Sequence, residues 1–577
     1  MSFSIKDRKK EITQLKSEEL DLLIIGGGIT GAGVAIQASA AGMKTGLIEM
    51  QDFGGGTSSR STRLVHGGIR YLKTFDVEVV SDTVKERAVV QHIAPHMTRP
   101  DPMILPIYDE PGTTFSMFSV KVAMDLYDHL AGINKKDNLK KYANYTIDKD
   151  EVLKREPQLN PEKLVGGGVY LDYQNNDSRL VVENIKRAHD EGGLMVSRIK
   201  AIEILHDKFG GVNGVRVKDI LSGEEFNIHS KIVINTSGPW SDFVRHLDDN
   251  ADKKSHMRPT KGVHLVVDQS RLNVPQPTYF GSGTNDGRMI FTIPREGKTY
   301  FGTTDTDFDG DYENPKVEQG DVDYLLDIIN KKYPSANLTI EDVEASWAGI
   351  RPLLGVEKNE EDTDVVTGAS NAGSLSAPSA VSRGSALKVA DDGLITLAGG
   401  KLTDYRVMAN GAMKKIRQIL RDEFIEKFNE VDSAELKVSG GNFDSDNAEE
   451  VLSSFTKKGV QKGLDLEDSK ELVTLYGSNV IEIFNDIEKT KPIKNLTLAE
   501  TLALNYSLEQ EMTLTPVDFL LRRTYNILFK NDEVDRMKKG VTEAMSNYFN
   551  WSNEEIQKYT AELDNEINQS RLEYLKK

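Results

Sequence analysis

The stretch DLLIIGGGITGAGVA, residues 21–35, decides the fold. Its apolar run Leu22–Ile25 leads into Gly26, Gly28 and Gly31 in G-x-G-x-x-G spacing, and small residues then continue in a helical pattern. Glycines so spaced allow a tight turn, let a pyrophosphate reach the backbone at a helix N-terminus, and permit close helix packing. The next strand pattern, TGLIEM at residues 45–50, places Glu49 18 residues beyond Gly31, where a carboxylate accepts hydrogen bonds from ribose hydroxyls. Strand, glycine turn, helix and strand form a βαβ unit, so the expectation is an α/β protein with a Rossmann-like dinucleotide-binding domain.

At 577 residues the chain exceeds what one hydrophobic core supports, and two or three structural units are expected. Lysine and arginine total 72 against 90 aspartates and glutamates, a net charge of −18 that disfavours nucleic acid and anionic membranes as partners. Any anion the protein binds therefore needs a local cationic pocket. With no cysteine, disulfides, thiolate metal sites and cofactor attachment through sulfur are excluded, no metal is expected, and redox chemistry would belong to a bound cofactor. The charged N-terminus lacks the apolar stretch of a secretory signal, and no later run reaches the roughly 18 apolar residues of a membrane span. A cytoplasmic location without an integral membrane span is the expectation.

Two further apolar runs, KIVINTSG at 231–238 and GLITLAGG at 393–400, read as short strands ending in small residues. The nucleotide-binding domain is therefore expected to be discontinuous across residues 20–430. Interleaved with it, at about 70–110 and 255–350, a β-rich substrate domain is expected from the alternation in VHLVVD (263–268), MIFTIPREGKTYFGTTDTD (289–307) and IEDVEASWAGIRPLL (340–354). Residues 357–384, acidic and then rich in Ser, Ala and Gly, read as a flexible loop. From Asp432 to the end, helix starts at Thr497/Glu500, Thr515-Pro516 and Ser552/Glu555 indicate a helical C-terminal domain, 432–577.

NAD and FAD both fit the glycine fingerprint, so the choice rests on the segment after the acidic strand. There the sequence runs on as MQDFGGGTSSRSTRLVHGGIRYL, residues 50–72, with glycines and hydroxyls where a flavin's diphosphate and ring would continue. A second glycine–helix junction, Gly399-Gly400 in LAGGKLTDYRVMANGAMKKIRQIL (397–420), aims another helix N-terminus at an anion or at the electron-rich edge of a reduced flavin. Two such junctions far apart in sequence favour FAD.

The segments IIGGGITGAG, TSSRSTRLVHGGIRYL, TSGPW, KGVHLVV, GTTDTD, GIRPLL and GGKLTDYR occur in the order seen in FAD-dependent glycerol-3-phosphate dehydrogenases and oxidases. The chain resembles that family over about residues 20–425, and its tail resembles the C-terminal domain of the bacterial members. The resemblance implies a glutathione-reductase/D-amino-acid-oxidase-like FAD-binding fold, non-covalent FAD, and oxidation of the C2 hydroxyl of sn-glycerol 3-phosphate by hydride transfer to the flavin. It also implies site roles. Gly26, Gly28, Ile29, Thr30, Gly31 and Glu49 would hold the nucleotide; Thr57, Ser58, Ser61, Leu64, Gly238 and Trp240 would lie along the cofactor; Gly400, Lys401, Leu402 and Thr403 would line the flavin's polar edge. Arg63 is expected to be structural or cofactor-facing.

For the substrate, Arg351 would bind the phosphate, with Arg70 and Tyr71 as further contacts and Asp305 in an orienting role. An alcohol must lose its hydroxyl proton as hydride leaves, and a histidine suits that task. His66 is the first choice and His264 the second, while Lys401 could stabilise the product carbonyl or the anionic reduced flavin. The chain's acidity and the lack of a basic amphipathic helix favour molecular oxygen, giving hydrogen peroxide, over a membrane quinone as electron acceptor. The 357–384 segment is shorter than the insertion carried by the soluble oxidases of lactic-type bacteria. A flavin amine oxidase and a non-catalytic FAD-binding scaffold are the readings outside this reaction, and a homodimer is one option for an oligomeric state the sequence leaves open.

Overall fold

The computed structural model describes residues 2–67, 77–110, 117–131, 140–249, 253–284, 288–355, 364–367 and 385–576. Leu20–Ile25 is a strand with all six residues buried, as a continuous apolar run requires when both faces are covered. It lies at the centre of a parallel array whose order is Ile395–Gly399, Glu225–Asn235, Leu20–Ile25, Thr45–Glu49 and Leu194–Ser197. The helices Ile29–Ala40, Asp177–Asp190 and Tyr405–Glu423 pack into one core cluster with these strands. A β-carbon on Gly33 would lie 2.7 Å from the Tyr405 ring, so the first and last of these helices touch where only glycine fits.

Four residues within the stretch expected as a loop, Asp364–Thr367, form an edge strand paired antiparallel with Ser385–Val389. The short β-branched run DVVT sits between acidic and small residues that mask it in the sequence. The remainder of 357–384 lies outside the described residues.

A second, mixed sheet is built around the long antiparallel pair Met257–Asp268 and Val343–Leu354, which sets His264 opposite Trp347 and Thr260 opposite Arg351. Lys298–Gly302 pairs on the other edge of Met257–Asp268, with Gly302 opposite His264. The sheet also contains Leu164–Gln174, paired along its length with Arg99–Tyr108 and lying outside the limits expected for the substrate domain. Its Gly166-Gly167-Gly168 run breaks the alternation that announces a strand, yet these positions serve close packing: a β-carbon on Gly168 would lie 2.4 Å from Met124 Sδ.

After about residue 440 the chain is helical, including Ala448–Gln461, Leu466–Tyr476, Leu498–Gln510, Asn531–Phe549 and Asn553–Ser570. Thr497 with Glu500, and Ser552 with Glu555, close reciprocal capping boxes. No helix among the described residues is long and apolar enough to cross a membrane.

Buried ion pairs join the helical part to the nucleotide-binding part. Asp52, three residues beyond Glu49, accepts from Arg522 Nε at 2.6 Å and from Arg523 Nη1 at 2.7 Å. Asp518 pairs with Arg522 and, at 2.8 Å, with Arg198, while Glu511 pairs with Arg179 at 2.8 Å. Removing one partner of such a buried set strands the other charge. Asp52→Ala should therefore cost about 3–5 kcal/mol of stability, seen as a lowered thermal midpoint; an unchanged midpoint would show that Arg522 and Arg523 find other compensation.

Candidate active site

The site begins where the strand Leu20–Ile25 ends. Gly26 has φ +110°, and a β-carbon there would lie 2.8 Å from the Thr236 carbonyl oxygen. Gly28 is the N-cap of the helix Ile29–Ala40, which thus opens toward a large cavity of about 580 Å³ with Gly26, Gly28, Ile29 and Thr30 in its wall. That volume falls in the range of cofactor pockets. Ser58 Oγ accepts from Ile29 N at 3.0 Å and fastens the Thr57–Ser59 turn over the helix start.

Glu49 ends the adjacent strand, and its carboxylate accepts from Gly27 N and Gln51 N, each at 2.7 Å. Burial raises its pKa while these two N–H groups pull it down. Each oxygen has a second lone pair to offer, and Glu49 lines the cavity, which continues past it along Ile199–Ala201.

The cavity wall also takes in Thr57, Ser58, Ser61 and Leu64 from the hydroxyl-rich strip, and Gly238 with Trp240 from the end of Glu225–Asn235. Gly400, Lys401, Leu402 and Thr403 complete it ahead of the helix Tyr405–Glu423. Bare backbone at two helix starts, a carboxylate at the end of the second strand and a cavity of this size together fit FAD. The nucleotide would lie on Gly26–Thr30 and Glu49, and the flavin would face the hydroxyl strip and Gly400–Thr403.

His66, His264 and Arg351 face the same cavity. His66 is half-buried, with its ring edge toward Phe291 (centroids 5.8 Å apart), and its carbonyl accepts from Thr403 Oγ1 at 3.4 Å. His264 is buried, stacks on Trp347 at 4.8 Å and lies with Nε2 3.1 Å from Thr62 Oγ1. Burial above all, helped by the Arg351 and Arg63 charges, holds its pKa well below the usual histidine range. A β-carbon on Gly302 would lie 2.5 Å from the His264 ring, and one on Gly262 would lie 2.4 Å from Arg351 Nη2, so both side chains cross the sheet over bare backbone.

Arg351 is anchored: Nη1 donates to Asp305 Oδ1 at 2.9 Å, and Nη2 to Thr303 Oγ1 at 3.0 Å and the Thr304 carbonyl at 3.1 Å. Asp305 is itself buried and outside the cavity wall, and it bonds to Arg351 there. Gly31 also lies behind the wall, because a β-carbon there would come 1.9 Å from the Gly26 carbonyl oxygen. Arg63 faces away from the cavity into a box of aromatic rings. Arg70 and Tyr71 lie outside the described residues.

Several wall residues carry no sequence signal of their own. Asp177 opens the helix Asp177–Asp190 and accepts from Ser61 Oγ and Asn175 Nδ2; burial raises its pKa. An Asn-Asn-Asp-Ser run marks the helix start but not the cavity it faces. Tyr312, from a loop, and Phe243, from the short helix Ser241–Arg245, add aromatic wall with ring centroids 5.6 Å apart, Trp240 lying 6.1 Å from Tyr312. Thr303 belongs to the GTTDTD segment, yet only the anchoring of Arg351 gives it a role.

Replacing Glu49 by alanine removes the carboxylate that ends the second strand and frees the turn at Gly27. The dissociation constant for FAD should rise about 10- to 100-fold, measured by titrating apoprotein with FAD and following flavin fluorescence. An unchanged constant would remove Glu49 from the nucleotide site.

The family model for FAD-dependent oxidoreductases matches residues 21–381, and the model for the C-terminal domain of alpha-glycerophosphate oxidase matches residues 431–556. The chain is 55% identical to the alpha-glycerophosphate oxidase of Enterococcus casseliflavus, with 100% of this chain and 99% of the relative covered. It is 53% identical to the one from Lactococcus lactis, with both chains covered completely. The crystal structure of the glycerol-3-phosphate dehydrogenase from Bacillus halodurans, complexed with FAD, superposes with a TM-score of 0.80 at 36% identity, covering 99% of this chain and 98% of that one. With both of its parts matched and full-length identity above one half, the chain belongs to the alpha-glycerophosphate oxidase family of FAD-dependent oxidoreductases.

Proposed function

We propose that the protein oxidises sn-glycerol 3-phosphate at C2 to dihydroxyacetone phosphate, with molecular oxygen as final acceptor and hydrogen peroxide as second product. The observation that carries this reading is the convergence of an anchored guanidinium, Arg351, with two histidines on the cavity that fits FAD. FAD, when bound, accepts the hydride and passes the electrons on. The relatives at 55% and 53% identity support oxygen as the acceptor through their oxidase names, against 36% for the dehydrogenase. A cytoplasmic location belongs to the same reading.

Arg351 presents its guanidinium to the substrate phosphate, the fork that suits a phosphomonoester best. Asp305 and Thr303 hold that fork still, so little side-chain entropy is lost when phosphate arrives. Arg70, four positions after His66, is the second cationic contact in this reading.

The two histidines divide the proton chemistry by burial. Accepting a proton on His264 would place a new charge on a buried ring close to the Arg351 charge, and the depressed pKa expresses that cost. His66 is half-buried and lines the cavity, so we assign it the base that takes the C2 hydroxyl proton. Neutral His264 then orients substrate by hydrogen bonding, and Lys401 offers positive charge to the electron-rich edge of the site.

Anaerobic addition of glycerol 3-phosphate to the yellow holoprotein should bleach the flavin's visible band, and admitting air should restore it with release of peroxide. Absence of bleaching would remove the substrate assignment; slow reoxidation that a quinone analogue accelerates would move the acceptor to quinone. His66→Gln should slow the anaerobic bleaching about 10²- to 10⁴-fold with FAD still bound. If His264→Gln gives the larger loss, the base assignment passes to His264.

A further inference from the structure

Arg63 is the one cation of the 61–72 strip that the reaction above leaves unused. It is fully buried with φ +60°, a conformation uncommon for any residue but glycine, and it forms no ion pair among the described residues. Its guanidinium instead lies 5.4 Å from the Trp347 ring and 5.7 Å from each of the rings of Tyr525 and Phe529. Arg295 enters the same box, 4.7 Å from Tyr525 and 5.2 Å from Phe529. Two guanidiniums held against aromatic faces is an expensive arrangement to maintain in a protein interior.

The geometry of the strip shows what the arrangement secures. Arg63 Nη2 donates to the Ser59 carbonyl at 3.1 Å, Trp347 Nε1 to the Ser61 carbonyl at 3.0 Å, and the Tyr300 hydroxyl to the Thr62 carbonyl at 3.0 Å. Ser61, Thr62 and Leu64 line the cavity, and Trp347 also stacks on His264, whose Nε2 meets Thr62 Oγ1. Phe529 touches all three donors: it is 5.7 Å from Arg63, 6.2 Å from Trp347 and 5.6 Å from Tyr300. Neither Phe529 nor Tyr525 lines the cavity.

We infer that the Tyr525–Phe529 segment of the helical part is a positioning element of the active site, acting through Arg63, Trp347 and Tyr300 on the Ser59–Leu64 wall and on His264. One aromatic side chain from the helical part thus sets three hydrogen bonds that hold one side of the flavin-facing strip. Arg63 is a positioning residue in the same assembly, and its charge is kept by rings rather than by a carboxylate, which would compete with Ser59 for the guanidinium. The inference rests on the proposed reaction only for its kinetic readout.

The test compares FAD-loaded, full-length Phe529→Ala, Phe529→Leu and Arg63→Met with Ile483→Ala, a buried isoleucine of the short helix Val480–Asn485, which packs on the helices Ala448–Gln461, Leu466–Tyr476 and Leu498–Gln510. Phe529→Ala and Arg63→Met should slow the limiting rate of anaerobic flavin reduction about 10- to 100-fold per bound FAD and alter the visible circular dichroism of oxidised FAD. Phe529→Leu should recover part of both. Ile483→Ala should lower the thermal midpoint as much as Phe529→Ala does while keeping the wild-type rate and spectrum.

If Phe529→Ala and Arg63→Met lose only thermal stability, as the control does, the helical part is a buttress and the inference is overturned. Should Phe529→Ala not accumulate as folded holoprotein, Phe529→Leu and Arg63→Met decide on the same two readings. Should glycerol 3-phosphate fail to reduce the wild type, the proposed reaction falls, and the flavin circular dichroism, which needs no substrate, decides the positioning role alone.

Discussion

A β-carbon at Gly31 would come 1.9 Å from the carbonyl oxygen of Gly26, and one at Gly26 would come 2.8 Å from that of Thr236. Strand, turn and helix can therefore meet here only as bare backbone. That contact places the start of Ile29–Ala40 at the C-terminal edge of the parallel sheet, and the neighbouring strands deliver their own ends to the same edge. Thr45–Glu49 brings Glu49 to Gly27, Glu225–Asn235 leads into Thr236 and Gly238, and Ile395–Gly399 runs out to Gly400 and Lys401. Carboxyl ends of strands in an open α/β sheet are where ligands bind, because helix N-termini and loop side chains converge there.

Charge is arranged against the overall balance of the chain. With a net −18, an anionic substrate is repelled at long range, so cations at the site have to be held in place close to where they act. Asp305 does this for Arg351, with threonine oxygens filling the remaining donor directions. The seam with the helical part uses a different solution, in which Asp52, Asp518 and Glu511 take arginines from both sides. Arg63 uses a third, aromatic faces in place of a counter-ion. These three environments explain why arginines from neighbouring motifs, alike in sequence, have unlike consequences.

What was legible in the sequence was what is local. The βαβ unit, its glycines, Glu49 and the second junction at Gly400 each depend on residues a few positions apart, and the capping boxes at Thr497 and Ser552 do too. The strand Leu164–Gln174 was not legible, because three glycines needed for the approach of Met124 erase its alternation. Nor was the edge strand Asp364–Thr367, whose flanks have loop composition. The pairing of Phe529 with Trp347, Tyr300 and Arg63 spans the chain and follows from no periodicity. Arg63 stood in the same strip as His66, and only its left-handed backbone, which turns the side chain away from the cavity, separates the two.

The two histidines show why a shared motif match does not imply a shared role. His264 sits in a strand whose pairing forces it against Trp347, and Gly302 opposite removes the β-carbon that would obstruct the ring. Such enclosure fixes direction and denies the charge a base must accept, so orientation is the property that position can supply. His66 follows a two-residue strand, Leu64–Val65, at the mouth of the glycine pair and keeps part of its surface open. Its carbonyl is tied to Thr403, beside Lys401, which holds this half-buried residue at the cavity wall. In the proposed reaction the buried histidine therefore suits orientation and the half-buried one proton transfer.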